Sequence, residues 1–395
     1  MAGRGSRLTL LFKNLCAAGG GVALFFLAAE GITRLLSPRI WLPGEDDPGW
    51  AVHCRSADPI LVYELRPGAV TTLPRRGGPG MVTYAIDALG LRDAPDLRAA
   101  KPPATFRLLV LGDSATFGIG VDLEETVVKR LETSWRALRP GARVECLNLG
   151  VSGYDAFQEV VFLRRNGLGL RPDAVVVDYN LNDAMDFSGE LGSVFRIEAR
   201  GDPPAFDALR RAFLPQSQFL RWMSYRIFAS RPLDRERVVR MDAAIRRTRE
   251  VRIEEILRRH PEAAAEPASM PNGEAAPPAG GEMGKLLRSA YASAGSWKRV
   301  RAAFLDLADL AREGRFPVVV AILPLFVDDR PYPFAAIHRF VADEAHRRGF
   351  DVVDLAEAAD SQPLSSISFD GLHPNAAGHA LFGRRLAERL VPLTP

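Results

Sequence analysis

Ser114, Asp370 and His373 are the side chains of this sequence whose types and spacing suit a nucleophilic relay. A serine hydroxyl attacks poorly unless a base takes its proton. A histidine near neutral pH can take that proton and later return it to a leaving group. Asp370 stands shortly before His373, and Pro374 restricts His373 to extended backbone. This spacing lets the carboxylate reach the near imidazole nitrogen and fix its tautomer, which leaves the far nitrogen for Ser114. The bland alternative is turn chemistry, since Gly112, Asp113 and Ser114 are all common turn residues. Among the other histidines, His379 is the nearest competitor, but it lies within a helical pattern and lacks a carboxylate at matching spacing. His53, His260, His338 and His346 fall in preamble, linker or helical stretches. Asp113 and Asp183 read as turn and cap residues.

These residues need elements to carry them. Leu108 to Leu111 is a continuous apolar run that stops at Gly112-Asp113-Ser114. A run without alternation suits a parallel strand covered on both faces. In open α/β sheets, ligands bind beyond the carboxyl ends of the strands, which is where Ser114 falls. A helix is expected from Glu124 to Leu138, stopped by Pro140-Gly141. Val144 to Leu149 reads as a second strand running into Asn148-Leu-Gly-Val-Ser-Gly153-Tyr154. The glycines there suggest a backbone that must approach something closely. Pro172 to Tyr179 is a β-branched third strand that leads into Asn180-Leu-Asn182-Asp183. An asparagine amide at that point can donate to a developing oxyanion, although Asx turns and helix caps use the same residue.

Further strands are expected at Phe316 to Leu323 and Asp351 to Leu355, with helices at Ala335 to Arg348 and Ala376 to Leu390. Strands alternating with helices imply a parallel sheet with right-handed crossovers. Between the third and fourth strands lies a long excursion, about residues 186–312. Its Phe213 to Phe228 stretch is aromatic and suits a lid, a cleft wall or a packed helix. Arg235 to Arg259 mixes both charges and reads as a solvated amphipathic helix. Pro261 to Gly284 is rich in Ala, Pro, Glu and Gly, as mobile loops are, and Leu286 to Arg312 returns to helical spacing.

The formal charge of +3 is too small to argue for nucleic acid, and the arginines are spread along the chain. Cys16, Cys54 and Cys146 show no metal-type spacing, and Cys146 reads as a small buried hydrophobe, which disfavours a Cys54–Cys146 disulfide. Arg4, Arg7 and Lys13 precede an apolar stretch from Leu15 to Ala29. No clear cleavage or lipid-attachment site follows, so an uncleaved signal anchor over residues 1–37 is expected, with a buried core helix as the alternative. Residues 38–104 read as an extracytoplasmic preamble with strands at Pro59 to Leu65 and Met81 to Ile86, and Asp87 to Arg92 as a turn leading out of it.

Taken in order, Gly112-Asp113-Ser114, Asn148 with Gly153, Asn182-Asp183 and Asp370-x-x-His373 resemble the SGNH/GDSL hydrolase family. The resemblance covers roughly Arg107 to Asp183 and Phe316 to Leu390. It implies a three-layer α/β/α flavodoxin-like fold with a five-stranded parallel sheet, spanning 105–395. It implies Ser114 as nucleophile, Asp370 and His373 as its partners, and an oxyanion hole from the Ser114 and Gly153 amides and the Asn182 side chain. Asn180 stands where the family usually has glycine. The expected activity is ester hydrolysis through an acyl-serine, without metal or organic cofactor. By fold-level analogy alone, the substrates are O-acetylated carbohydrate or small esters at the cell envelope. Alternatives are acyl transfer to an exported polysaccharide within its assembly machinery, lipid-ester hydrolysis, and a non-catalytic binding module.

Overall fold

The computed structural model describes residues 3–36, 52–185, 217, 219–220, 223, 235–270, 280–359 and 362–393. Helix α1 (Gly3–Leu36) comes first, followed by two small antiparallel pairs. These are β1 (His53–Arg55) with β2 (Tyr63–Leu65), and β3 (Val70–Pro74) with β4 (Met81–Ala85). Next come β5 (Phe106–Gly112), the short α2 (Ser114–Phe117), α3 (Val127–Leu138), β6 (Val144–Gly150), α4 (Ala156–Phe162) and β7 (Ala174–Tyr179). After the excursion come α5 (Arg235–Arg259), α6 (Gly281–Ala292), α7 (Ala294–Gly314), β8 (Val318–Ile322), α8 (Ala335–Arg347), β9 (Asp351–Asp354) and α9 (Ala376–Leu390).

The main sheet is five-stranded and parallel, in the order β6-β5-β7-β8-β9. Numbered from its own first strand this is 2-1-3-4-5, the flavodoxin-like arrangement, with its crevice where the order reverses beside β5. All but the first residue of β5 are buried, because the sheet is covered on both faces. Leu109 and Leu111 join a cluster with Phe157 and Val160 of α4, Trp297 and Phe304 of α7 and Val341 of α8. Leu108 and Val110 face the opposite way, toward Val128 and Leu131 of α3 and Phe382 and Leu386 of α9. The alternating side-chain direction of a strand makes these two faces. Cys146 is buried in the second cluster and its thiol, like that of Cys54, is free.

The chain forms two compact units: residues 1–46 with 197–238, and residues 47–196 with 239–395. In the first, Ala17–Leu35 is long and apolar enough to cross a membrane, and none of that window is buried, unlike a core helix. Within the same unit Ser217 donates its hydroxyl to Glu30 at 2.7 Å and the Phe219 N–H donates to it at 3.0 Å. The Phe219 ring meets Phe25 and Phe26 edge-on. Apart from Leu220 and Met223, the rest of the Phe213–Phe228 stretch, expected as a lid, cleft wall or packed helix, lies outside the described residues.

The second unit corrects several expectations. Only Tyr63–Leu65 of the Pro59–Leu65 run is strand. Asp58 turns the chain first, accepting the Ile60 N–H on its side chain and the Val62 N–H on its carbonyl. β3 was not expected; its residues are exposed or half-exposed, so no apolar run announces it. α3 begins after a 3₁₀ turn at Leu123–Glu125, where Thr126 caps it by accepting the Lys129 N–H. Pro261–Ala265, expected in a mobile loop, forms a 3₁₀ turn, while 271–279 lie outside the described residues. The excursion is shorter than 186–312 as an insertion, because α7 packs on the sheet as the crossover from β7 to β8. α5, expected to be a solvated helix, buries Ile253, Ile256 and one guanidinium: Arg249 donates to the Ile60 carbonyl at 3.0 Å.

Candidate active site

β5 ends where the chain must turn sharply, and Gly112 is the residue that permits it. A Cβ there would collide with the Thr116 side chain and lie 3.1 Å from the Asp178 carbonyl oxygen. Asp113 caps the α2 turn by accepting the Ala115 N–H at 2.8 Å. Thr116 donates to Asp178 at 2.7 Å, tying the turn to β7. Burial pushes the Asp178 carboxyl up to about 7, against the lowering effect of that hydrogen bond. From β6, Asn148 donates to the Thr116 carbonyl at 2.9 Å and accepts the Gly150 N–H at 2.9 Å. Gly150 is the close approach that the glycines suggested: a Cβ on it would sit 2.8 Å from the Thr116 carbonyl carbon.

On this platform Ser114 is buried, and its Oγ lies 2.8 Å from His373 Nε2. His373 Nδ1 lies 2.8 Å from Asp370 Oδ2. The other carboxylate oxygen, Oδ1, accepts the backbone N–H groups of His373 at 2.8 Å and Leu372 at 3.0 Å. The short Asp370–His373 spacing therefore closes a ring through side chain and backbone together, which orients the imidazole toward Ser114. Burial by itself would raise the Asp370 carboxyl; its bonds to the His373 ring and to the two amides outweigh this and hold it well below the usual carboxylate range. The structure thus brings Ser114, His373 and Asp370 into one hydrogen-bonded chain.

Asn182 arrives from the turn after β7 and donates its side-chain N–H to Asp113 Oδ2 at 3.0 Å. An amide nitrogen carries two hydrogens, so the bond to Asp113 uses one of the two Asn182 N–H groups. Asn180 is extended here (φ −89°, ψ 144°), so the position does not call for the glycine usual in the family. Asp183 accepts the Asn180 N–H at 2.8 Å as a cap, and Asp113 is likewise a cap. Gly153, at φ +78°, lies in the turn after β6 at the same edge of the sheet. Tyr63 of β2 steadies that turn by donating to the Ser152 carbonyl at 3.0 Å.

His379 is not an alternative base. It is buried, and its Nδ1 accepts the Val127 N–H at 3.0 Å. Burial first, then Arg92, His373 and Arg130, depress it to about 3, so it stays neutral. His338 is buried against Asp354 at 2.8 Å, on the far side of β8 from β5.

Two residues that position this site carried no sequence signal. Arg92, at the end of the turn expected at Asp87 to Arg92, is buried and donates to the carbonyls of Phe117, Gly118 and Val121, each at 2.6 Å. It therefore clamps the chain leaving the Ser114 turn. Arg76, in the tip between β3 and β4, donates to Asp370 Oδ2 at 3.0 Å. Both sit in Pro/Gly/Arg-rich chain whose partners are remote in sequence, so local pattern could not mark them.

No family model and no curated relative matches this chain. Solved structures that match it include LAE5, an α/β hydrolase enzyme from the metagenome of Lake Arreo, Spain, at 15% identity over 73% of this chain and 97% of that one, with a TM-score of 0.38. TesA matches at 15% identity over 73% and 99%, with a TM-score of 0.38. Axe2, an acetylxylan esterase from Geobacillus stearothermophilus, matches at 14% identity over 73% and 94%, with a TM-score of 0.36. The architecture rests on the chain's own contacts. In strand order, and in the gathering of its four sequence blocks at one edge of the sheet, the chain has the flavodoxin-like fold implied by its SGNH/GDSL resemblance.

Proposed function

We propose that this protein is a serine ester hydrolase that works through an acyl-serine intermediate. The observation that carries the reading is the continuous path from Ser114 Oγ through His373 to Asp370, both steps at 2.8 Å. Ser114 Oγ attacks an ester carbonyl while His373 Nε2 takes its proton. Asp370 holds the tautomer and balances the imidazolium. The Ser114 and Gly153 amides and the other Asn182 N–H stabilise the oxyanion. His373 then gives the proton to the departing alkoxide, and the C–O bond to the alcohol breaks. Water, deprotonated by His373, releases the acid and restores Ser114.

The proposed substrates are O-acetyl groups on carbohydrate, or other small esters, at the cell envelope. The proposed location rests on the apolar α1, read as a single-pass anchor with the catalytic unit outside. Alkaline carbonate extraction of membranes tests the anchor: release of the full-length chain into the supernatant would refute it.

The test of the chemistry is turnover of p-nitrophenyl esters of increasing acyl length by the full chain, with Ser114→Ala and His373→Ala beside it. Turnover on short esters that falls by about 10³-fold or more in both variants is expected. Activity retained in Ser114→Ala would overturn the mechanism.

A further inference from the structure

Arg76 reaches this site from outside the blocks that built it. The tip between β3 and β4 is anchored by Arg75, which pairs with Asp122 and with Glu125 at 2.7 Å. Tyr84 of β4 accepts the Gly120 N–H at 2.7 Å, tying the hairpin to the loop that leaves the nucleophile turn. Gly77 and Gly120 then form a slot for Phe369, the residue before Asp370. A Cβ on Gly77 would lie 3.1 Å from that ring and one on Gly120 2.9 Å from it. With Phe369 held there, Arg76 Nη1 donates to Asp370 Oδ2 at 3.0 Å. That is the oxygen that also lies 2.8 Å from His373 Nδ1.

We propose that Arg76 is a positioning residue: by sharing Asp370 Oδ2 with His373 it fixes the carboxylate's orientation and keeps the imidazole in its proton-accepting form to lower pH than an unshared Asp–His pair would. The inference takes Ser114–His373–Asp370 as the reacting chain. A carboxylate stabilises an imidazolium by its full charge only when nothing else claims that charge. A guanidinium on the same oxygen neutralises part of it, and repels the imidazolium directly. Arg76 is partly exposed, so screening reduces the effect without removing it.

The other charged groups around His373 do not supply this. Arg75, on the same hairpin, is committed to Asp122 and Glu125. Asp113 lies behind Ser114, with Oδ2 3.4 Å from Ser114 Oγ, and would favour the imidazolium. Arg92 is turned into the carbonyls of 117, 118 and 121, and it acts with Arg130 on the buried neutral His379 of α9. Among the described residues, Arg76 is the arginine paired with the Asp370 carboxylate.

The test is an NMR titration of the His373 ring in the full chain, assigned by loss of its signal in His373→Asn. Wild type, Arg76→Gln and Arg76→Lys are compared, and the acid limb of kcat/KM is measured in parallel. Removing a charge at this range is expected to raise the His373 midpoint by about 0.5 to 1 pH unit in Arg76→Gln. The acid limb moves by the same amount. Arg76→Lys, which keeps the charge, returns at least half of the shift. An unmoved or lowered midpoint in Arg76→Gln overturns the inference even if the protein hydrolyses esters. A raised midpoint in a protein that turns over no ester sustains the role of Arg76 and removes the hydrolase reading. If Arg76→Gln does not fold, a wild-type midpoint for the loop histidine in the charge-preserving Arg76→Lys supports the charge account. A midpoint raised by the full 0.5 to 1 unit in that variant rejects it.

Discussion

The nucleophile turn and the Asp370–His373 loop meet at one hydrogen bond but are built in opposite ways. The turn is buried and held from three sides: by Asp178 on β7, by Asn148 on β6 and by Arg92 from the preamble. The loop keeps 40% of the Asp370 side chain and 14% of the His373 side chain exposed. It is held mainly by bonds between its own near neighbours, with the Phe326 N–H donating to the Gly371 carbonyl at 2.9 Å, the Phe369 ring in its slot and one guanidinium from a hairpin tip. The proposed nucleophile is thus fixed by the core, where stability and the proposed function use the same contacts. The proposed base is fixed mostly by short-range chemistry near the surface, where they separate. Changes in the loop should cost activity at little cost in stability, and changes around the turn should cost stability first.

The sharpest break is at the loop. Asp370→Asn keeps the backbone bonds but presents the wrong hydrogen-bonding partner to His373 Nδ1, so kcat should fall about 10⁴-fold. Its melting temperature should stay close to wild type; a large drop would mean that the loop is as much a part of the core as the turn is. Next comes Asn182→Ala, which removes the side-chain donor beside Ser114. A loss of about 10²–10³ in kcat, with little change in KM, is expected, and an equal rise in KM would reassign Asn182 to ground-state binding.

Arg92→Met tests the other side. It takes the guanidinium from three buried carbonyls, of which Gly118 keeps the Val121 N–H at 3.4 Å, and should destabilise the protein by about 2 to 3 kcal/mol in urea unfolding. Unchanged stability would show that the turn does not depend on its clamp. The last effect concerns pH. Folded His379 titrates near 3, against about 6.5 when unfolded. Between those values the unfolded chain binds a proton that the folded one does not, so stability falls as pH drops from 6.5 toward 3. The slope approaches about 1.4 kcal/mol per pH unit for one proton. His379→Gln should lose less stability than wild type over that window, and parallel curves would remove the buried histidine as a cause.

The sequence made the turn side of this comparison legible. The unbroken run of apolar residues at Leu108–Leu111 marks a strand covered on both faces, and Gly112 to Ser114 mark a turn at its end. Asp370-x-x-His373-Pro374 was equally readable, because the imidazole and its carboxylate lie within one short loop. Strand ends and helix starts were less so. Thr126, Asp58 and Pro317 reset them through caps, Asx turns and a missing N–H, which compete locally with the hydrophobic pattern. The turn expected at Asp87 to Arg92 is there, with the Asp87 side chain accepting the Leu89 and Leu91 N–H groups at 2.8 Å. What that turn delivers was not visible: Arg92 is aimed at carbonyls 25 to 29 residues away.

By itself, then, the chain's order of residues determined which side chains could react and which strands would carry them. Both are properties of neighbours: periodicity selects a buried strand, and a three-residue spacing joins a carboxylate to an imidazole. Only the tertiary structure decided how the proposed reacting groups are held. It set Gly150 against the Thr116 backbone, turned Asn182 onto Asp113, and brought Arg76 to Asp370 across 294 residues. No local signal encodes such a contact, because its partner is chosen by the packing of the hairpin against the nucleophile loop and not by anything adjacent in the chain.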